Sequence, residues 1–364
     1  SEMCIRDSTR REYLDFFGQY STIPLGYNHP IFNEEFYEEI KRVAHTKIVN
    51  CEIHSDEYDE FHESFKKYAG KDYNNFFYCN GGGVAVENAM KVALDNKKSR
   101  NAIFIGLKNS FHGITGLSGA ITDRFPPINK HFPLGMENMS RILRIVPEDK
   151  ALVDFILDQQ YKDQIAAIVV EPIQCTAGDI HISKGYLKYL YNAAKNKDIP
   201  IIFDCVQVGF GGTGSIWYYQ QLGIKPDIVV FGKKTQVSGI MTNMPIDESK
   251  LSVTWDGDII DMIRCKYIIK AYKKYNILDN VKKRAKQLAK GLSEIDKLNN
   301  LRHAGLLFAF DLPTKAERDI LWKSMYDNGM LCLKTRWNTI RLRPPLSVSE
   351  DEVNQAIEII SRSI

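Results

Sequence analysis

The chain has 364 residues, of which 44% are hydrophobic and 26% charged, and its formal net charge is +3. This length and composition are typical of a globular protein of about two domains, and so small a net charge gives no reason to expect a nucleic-acid partner. The seven cysteines are scattered and contain no C-x-x-C pair. That spacing argues against a disulfide framework or a metal site and favours a reducing, cytoplasmic location. No apolar stretch approaches the ~20 residues of a membrane span, so none is predicted.

The first residues of the chain are unusual. Residues 1–8, SEMCIRDS, resemble translated sequencing-adaptor read-through. We expect them to be an artefact, with part of the true N-terminal segment missing upstream. A genuine, divergent N-terminus is the alternative.

From about residue 76, short apolar runs alternate with helical patterns, which indicates a mainly parallel sheet. A helix at 84–98 follows the first apolar run, and another at 185–197 makes a right-handed crossover between two strands. The predicted strands are FFYC at 76–79, AIFIGL at 102–107, AAIVVE at 166–171, PIIFDC at 200–205 and DIVVFG at 227–232.

The last third of the chain predicts a second, smaller domain. A helix-rich tract at 259–298 leads out of the sheet, strands are predicted at 306–312 and 339–345, and a helix begins near Ser349. We therefore expect an α/β protein with three parts. These are an N-terminal segment at 1–45 that contributes to the small domain, a large domain at 46–275 and a C-terminal small domain at 276–364.

Two of the predicted strands end in residues that carry chemistry. One leads through Gly232 to Lys233, and another ends in Asp204 with Gln207 one turn later. In open α/β sheets this edge is where ligands bind. A lysine that can form a Schiff base and a carboxylate for a pyridinium nitrogen are what pyridoxal phosphate requires of a protein. The alternatives are a surface charge for the lysine and a helix N-cap for Asp204.

Blocks along nearly the whole chain resemble the class III (fold type I) aminotransferases, in that family's order. The FGKKTQ block within them favours the lysine 6-aminotransferase branch. The resemblance implies a large domain with a mainly parallel seven-stranded sheet, a smaller α+β domain and pyridoxal 5'-phosphate as cofactor. The blocks are REYLDFF at 11–17, PLGYNHP at 24–30, GGGVAVENAMKVALD at 81–95, SFHGITG at 110–116, VVEPIQ at 169–174, FDCVQVGFGGTG at 203–214, PDIVVFGKKTQVSGIM at 226–241, TWDGD at 254–258 and IRLRPPL at 340–346.

The resemblance also implies which residues contact the cofactor. Lys233 and Asp204 would be catalytic, and Lys234 competes with Lys233 for the cofactor aldehyde. Aligning Gly232 with the family glycine favours Lys233. Thr254 would reach the phosphate of a neighbouring subunit, which implies a homodimer with shared sites. The full set of expected cofactor-binding residues is Gly82, Gly83, Phe111, His112, Asp204, Gln207, Lys233 and Thr254.

The residues at the expected substrate positions depart from the family. Arg341 matches an arginine that grips a substrate carboxylate, and Arg343 is expected to face the opposite side of the strand. Ile114 stands where the lysine branch has an arginine, and Thr176 where the family has a glutamate that pairs with the small-domain arginine. These departures predict altered or relaxed substrate choice.

The favoured hypothesis is an aminotransferase that passes the terminal amino group of L-lysine, or of a related ω-amino compound, to 2-oxoglutarate. A transaminase of altered specificity, with an ω-amine or amino-sugar donor, is the first alternative, and Ile114 favours it. A catalytically silent homologue is the second, and the retained Gly82, Asp204, Gln207 and Lys233 argue against it. No metal, nucleic-acid or membrane partner is expected.

Overall fold

A computed structural model describes residues 4–6, 8, 10–45, 47, 53–97, 101–123, 141–158 and 162–364. Within these ranges the strands are β1 (Cys4–Arg6), β2 (Glu12–Asp15), β3 (Asn75–Cys79), β4 (Ile103–Leu107), β5 (Arg141–Ile145), β6 (Ile165–Val170), β7 (Ile173–Gln174), β8 (Ile180–His181), β9 (Ile201–Asp204), β10 (Ile228–Phe231), β11 (Ser238–Thr242), β12 (Asn299–Ala304), β13 (Leu307–Asp311), β14 (Met330–Leu331), β15 (Leu333–Thr335) and β16 (Thr339–Leu342). The helices of six or more residues are α1 (Glu34–Val43), α2 (Asp56–Tyr68), α3 (Gly82–Lys97), α4 (Gly116–Ile121), α5 (Lys150–Leu157), α6 (Lys184–Lys195), α7 (Ile259–Lys274), α8 (Ile277–Ser293), α9 (Lys315–Asp327) and α10 (Glu350–Ser363).

Seven strands form the central sheet, in the order β3-β11-β10-β9-β6-β4-β5. All neighbours from β10 to β5 run parallel, whereas β11 is antiparallel to both β10 and β3. The predicted mainly parallel seven-stranded sheet is therefore confirmed. Strands β5 and β11 were not among the predicted strands. β5 is an edge strand that is only partly buried and carries two arginines, so its apolar signal is weak.

The core lies on both faces of this sheet. Successive side chains of a strand point to opposite faces, so Ile168 of β6 packs into one hydrophobic cluster and Val169 into another. Strands β6, β9 and β10 are buried along their whole length. Such runs are continuous rather than alternating because helices cover both faces of a parallel sheet. This burial makes the ends of the three strands a rigid base for functional side chains.

A smaller α+β part contains two further sheets. One is antiparallel, in the order β12-β13-β16-β15, and the other joins β1, β2 and β14. Strand β2 runs parallel to β14, with Leu14 opposite Met330, and the backbone N–H of Arg343 donates to Phe16 O over 2.7 Å. The N-terminal segment thus packs with the C-terminal part of the chain. The domain boundaries remain a prediction, and residue 46 lies outside the described residues.

The first eight residues are described only in part. Strand β1 pairs antiparallel with β2, with Cys4 opposite Leu14, while residues 1–3 and 7 lie outside the described residues. This pairing does not test whether the segment is an artefact, so that expectation stays a prediction. None of the helices in the described ranges is both long and apolar enough to cross a membrane.

Candidate active site

Functional side chains gather where three neighbouring strands end. Strand β6 leads directly into Glu171, β9 ends at Asp204, and β10 is followed by one glycine and then Lys233. The three strands are adjacent and parallel, in the order β6-β9-β10. Their carboxyl ends therefore bring the two carboxyl groups and the amine to one edge of the sheet, where α/β proteins bind ligands.

These side chains line a cavity of about 330 Å³. Its lining includes all of the predicted cofactor-contacting residues except Thr254, and it includes Ile114. The lining consists of Gly81, Gly82, Gly83, Val84, Phe111, His112, Gly113, Ile114, Thr115, Glu171, Asp204, Val206, Gln207, Val208 and Lys233. Thr176, Thr254 and Arg341 are described but are outside this lining.

One end of the cavity is formed by the start of helix α3. The helix begins at Gly82, and the N–H groups of its first turn have no intrahelical acceptor. A Cβ atom on Gly82 would lie 2.9 Å from Val206 Cγ1, and one on Gly83 would lie 3.3 Å from Ser118 Oγ. Glycine is therefore needed for the close packing at this turn. The free N–H groups and the positive end of the helix dipole suit an anion such as a phosphate.

The carboxyl group of Asp204 is fixed at both oxygens. Its Oδ2 lies 2.8 Å from Nδ1 of His112, and its Oδ1 accepts a hydrogen bond from Val206 N over 3.1 Å. Asp204 is 6% exposed and His112 is 2% exposed, so the contact is shielded from solvent. The other ring nitrogen of His112, Nε2, is buried and has no hydrogen-bond partner among the described residues. A rigid carboxylate of this kind can stabilise a planar cation placed against it.

The two adjacent lysines have different surroundings. Lys233 lines the cavity, and burial lowers its pKa to about 8. Lys234 is 2% exposed and donates from Nζ to the main-chain oxygen of Gln207 over 2.7 Å. Burial and the charge of Lys233 lower the pKa of Lys234 to about 7. Although Lys234 has the lower pKa, accessibility decides which amine meets a ligand, and this favours Lys233.

Glu171 also lines the cavity, although the sequence analysis gave it no role. It is 6% exposed, and its two carboxyl oxygens accept hydrogen bonds from Phe111 N over 2.8 Å and from Cys175 N over 3.0 Å. Burial raises its pKa to about 8, so the carboxyl group is mostly protonated at neutral pH. Its place directly after a buried strand, as with Asp204, is the sequence signal that could have identified it.

Two arginines meet on one aspartate beside the cavity. Nη2 of Arg343 lies 2.5 Å from each carboxyl oxygen of Asp179, and Nη1 of Arg341 lies 4.0 Å from the same carboxyl group. The prediction that Arg343 faces away from Arg341 is therefore wrong. Residues two apart on a strand share a face, and both guanidinium groups turn toward Asp179.

The expected substrate residues contain buried polar atoms without partners. Arg341 is 5% exposed and donates from Nη1 to Cys175 O over 2.8 Å, but its Nε has no partner among the described residues. The hydroxyl oxygen of Thr176 is likewise buried and unpartnered. Burial lowers the pKa of the Arg341 guanidinium, and Asp179 opposes this effect. An uncompensated buried cation favours an anionic ligand nearby.

Two predicted residues are exposed rather than buried. The side chain of Ile114, on the cavity lining, is 58% exposed. Thr254 is also exposed and lies between Val253 and Trp255, whose side chains are 59% and 45% exposed. Within the described ranges, no group of three or more His, Cys, Asp and Glu side chains could hold a metal ion.

Comparison with known proteins identifies relatives along the full length of the chain. Residues 1–364 match the model of the family described as aminotransferase class-III. The L-lysine-epsilon aminotransferase of Streptomyces clavuligerus is 31% identical over 404 residues, covering 98% of this chain and 87% of that protein. The enzyme of the same name from Mycobacterium tuberculosis (H37Rv) is 32% identical over 396 residues, covering 98% and 88%.

Solved structures of aminotransferases are also similar to this chain along nearly its full length. The lysine aminotransferase from M. tuberculosis in its internal aldimine form superposes with a TM-score of 0.90 at 30% identity, covering 100% of this chain and 92% of that one. The ornithine aminotransferase from Toxoplasma gondii has a TM-score of 0.87 at 22% identity, covering 99% and 88%. The second likeness concerns the fold alone.

Proposed function

Because the chain belongs to the class III aminotransferases and is a pyridoxal 5'-phosphate-dependent transaminase, we propose that it transfers the terminal amino group of L-lysine, or of a related ω-amino compound, to 2-oxoglutarate. The observation that carries the chemistry is the single cavity that brings together Lys233, Asp204 and Gln207. The choice of lysine is supported by the similarity to lysine aminotransferases over 98% of the chain.

The cavity fits the cofactor at three points. The glycine turn at the start of α3 offers free N–H groups to a phosphate. Asp204 offers a fixed, buried carboxylate to a ring nitrogen, and Lys233 offers an amine whose pKa is lowered to about 8. The unpartnered Nε2 of His112 gives a further polar atom near this carboxylate. Phe111 lies on the same lining, where an aromatic ring can stack on another.

Each of these residues has a task in amino transfer. When bound, pyridoxal phosphate supplies an electron-accepting ring. Asp204 would hold a proton on the ring nitrogen, because an opposing buried carboxylate stabilises the cation. His112 would keep Asp204 in position through its Oδ2 contact. Lys233 would anchor the cofactor and, as a neutral amine, move a proton during the transfer.

Arg341 is assigned to a carboxylate of the acceptor. Its guanidinium is buried, its Nε has no partner among the described residues, and Thr176 offers no negative charge. One carboxylate of 2-oxoglutarate would satisfy that cation through charge-assisted hydrogen bonds. The buried pair of Arg343 and Asp179 lies beside it and leaves the group of two arginines and one aspartate with a net positive charge.

We include a homodimer in the proposal, with Thr254 reaching the phosphate site of the partner subunit. Thr254 is exposed and lies outside the cavity lining of its own subunit. Its neighbours Val253 and Trp255 expose large apolar side chains, which association would bury. A cross-linking or sedimentation measurement should find two subunits, and the exchange Thr254→Ala should weaken cofactor binding.

A panel of amine donors tests the function. Purified protein supplied with pyridoxal phosphate and 2-oxoglutarate should form glutamate from L-lysine, and the Lys233→Ala variant should form none. L-ornithine, cadaverine and an amino sugar complete the panel. Absence of glutamate with every donor would favour the silent homologue and contradict the proposal.

A transaminase of altered donor specificity is the second candidate. Ile114 is the observation that favours it, because an exposed apolar side chain lies on the cavity where the lysine branch places an arginine. An isoleucine cannot bind a carboxylate and tolerates an uncharged substrate tail. A panel in which an ω-amine or amino sugar exceeds L-lysine in kcat/KM would select this candidate.

A further inference from the structure

Arg343 is a buried cation to which the proposed amino transfer assigns no contact with cofactor or substrate. It follows strand β16, is 1% exposed and pairs with Asp179 through both carboxyl oxygens. Its Nη1 donates to the main-chain oxygens of Phe308 and Leu342, each over 3.0 Å. A further contact is directed toward the cavity, because Nε donates to Oε1 of Gln207 in a long hydrogen bond of 3.4 Å.

Lys234 contacts the main chain of Gln207, whereas Arg343 contacts its side chain. Its Nζ donates to the main-chain oxygen of Gln207 over 2.7 Å. A Cβ atom on Gly212 would lie 3.1 Å from Cε and 3.2 Å from Nζ of this lysine, so Lys234 packs closely over Gly212. The amine is therefore confined beneath the turn that follows β9 and is not on the cavity lining.

We propose that Arg343 and Lys234 are positioning residues that hold Gln207 in place from its side chain and its main chain, so that its amide N–H groups donate into the cavity. The inference rests on the proposed function, since Gln207 must contact the bound cofactor for its orientation to matter.

The direction of the amide follows from donor chemistry. An arginine has only donors, so it can bond the oxygen of the Gln207 amide and not its nitrogen. With Oε1 turned toward Arg343, the NH₂ group is left to donate elsewhere. A donor on the cavity lining suits an anionic oxygen on the cofactor ring. Lys234 adds to this by fixing the backbone from which the side chain extends.

The charges argue that this arrangement is more than packing. Burying an ion pair is often no better for stability than well-packed apolar side chains of similar size. Here the Arg343 cation and the Lys234 amine are buried around one glutamine, and Asp179 faces only Arg343 at hydrogen-bond distance. A role in orienting Gln207 explains why basic donors occupy both positions.

The test measures cofactor affinity in a double-mutant cycle. The variants are Arg343→Met, Arg343→Lys and Lys234→Met, each made alone and combined with Gln207→Ala. Apoprotein is titrated with pyridoxal 5'-phosphate, and the dissociation constant is read from cofactor absorbance, together with the pH midpoint of that absorbance. Matched controls are Arg318→Met and Lys266→Met, which remove cations that are 4% and 7% exposed and have no described contact with Gln207.

We expect Arg343→Met and Lys234→Met each to weaken cofactor binding about tenfold and to move the pH midpoint, as the loss of a buried hydrogen bond from a basic side chain predicts. In the Gln207→Ala background the same exchanges should change the dissociation constant less than about twofold, because coupled residues are not additive. Arg343→Lys keeps the charge but loses the fixed fork and should bind with intermediate affinity.

Equal effects in both backgrounds would overturn the inference, since the two residues would then act other than through Gln207. Unchanged affinity and pH midpoint in Arg343→Lys and Lys234→Met would also overturn it, even if Arg343→Met fails to fold. Failure of the unsubstituted protein to bind the cofactor would contradict the proposed function itself and would be seen before any variant is compared.

Discussion

The end of the site proposed to hold the cofactor and the end proposed to hold the substrate differ in how fully their polar groups are bonded. At the cofactor end, each carboxyl oxygen of Asp204 and of Glu171 has a hydrogen-bond partner, and Nε2 of His112 is the exception. At the substrate end, Nε of Arg341 and the hydroxyl of Thr176 are both buried and lack partners among the described residues.

This difference distinguishes the residues proposed to carry out the reaction from those proposed to select the substrate. A buried polar group without a partner costs roughly 1–3 kcal/mol, so unpartnered atoms mark the place where a ligand's own polar groups are needed. The well-bonded end has the residues expected of a transaminase. At two positions where the resemblance to the lysine branch implies charged residues, the chain has Ile114, which lies on the cavity lining, and Thr176, which follows the Cys175 that accepts from Arg341. We infer that the reaction has been retained while the substrate contacts have changed.

Removing the amine of Lys233 should have the largest effect. Lys233→Ala is expected to lower kcat/KM by a factor on the order of 10⁴ or more, because a covalent anchor and a proton carrier are lost together. Borohydride reduction followed by peptide mapping should place the pyridoxyl group on Lys233 in the unsubstituted protein and in Lys234→Met. A label on Lys234 instead would show that the wrong lysine was assigned.

Asp204→Asn is expected to have the next largest effect. The amide keeps the shape but loses the negative charge that faces the ring nitrogen, and a buried charge partner is worth several kcal/mol. Turnover should therefore fall about a hundredfold to a thousandfold, whereas far-ultraviolet circular dichroism should be unchanged. Turnover close to that of the unsubstituted protein would rule out this role for Asp204.

Restoring charge at the substrate end should sharpen specificity. We expect weak discrimination between L-lysine and cadaverine, which lacks the carboxylate. Ile114→Arg should raise the preference for L-lysine about tenfold to a hundredfold, the value of a charge-assisted pair. Adding Thr176→Glu should raise it further. The ratio of the two kcat/KM values measures the effect, and a thousandfold preference in the unsubstituted protein would show that another residue binds the carboxylate.

The sequence predicted the mainly parallel sheet, and it predicted residues that the structure gathers around one cavity. Continuous apolar runs identified β6, β9 and β10, and a carboxylate and a lysine at their ends identified the ligand edge. Strand β5 was missed because its arginines and partial exposure hide the apolar pattern. The position of a residue along a strand does not show which oxygen or nitrogen atom its side chain bonds, because those partner atoms belong to distant segments of the chain.

The arginine pair illustrates that limit. Arg341 and Arg343 are two residues apart, yet their meeting on Asp179 depends on the hairpin of β7 and β8 lying against β16. Lys234 similarly donates to the main-chain oxygen of Gln207, which lies on the turn after β9. Glu171 was within a matching block and its place after a buried strand was readable, but its raised pKa results from burial that only the folded chain displays.

The last expected effect concerns Glu171 and the pH dependence of stability. Burial raises the pKa of its carboxyl group from the ordinary 4.5 to about 8 in the folded protein. Between these values the folded state binds a proton that the unfolded state has released. Stability from this group is thus fully present below pH 4.5 and is lost as pH rises toward 8, by up to about 1.4 kcal/mol per pH unit.

Glu171→Gln should flatten that slope, because the amide does not titrate. The amide nitrogen of the glutamine would face one of the two backbone N–H donors, so the free energy of unfolding at low pH is expected to fall. The test therefore compares the slopes of the free energy of unfolding against pH and not its absolute values. The free energy of unfolding in urea is measured between pH 5 and 8 for the unsubstituted apoprotein and for Glu171→Gln. Glu358→Gln, at an exposed position, is the control. An unchanged slope in Glu171→Gln would mean that Glu171 is ionised in the fold, and the cavity would then hold two negative charges at the sheet edge instead of one.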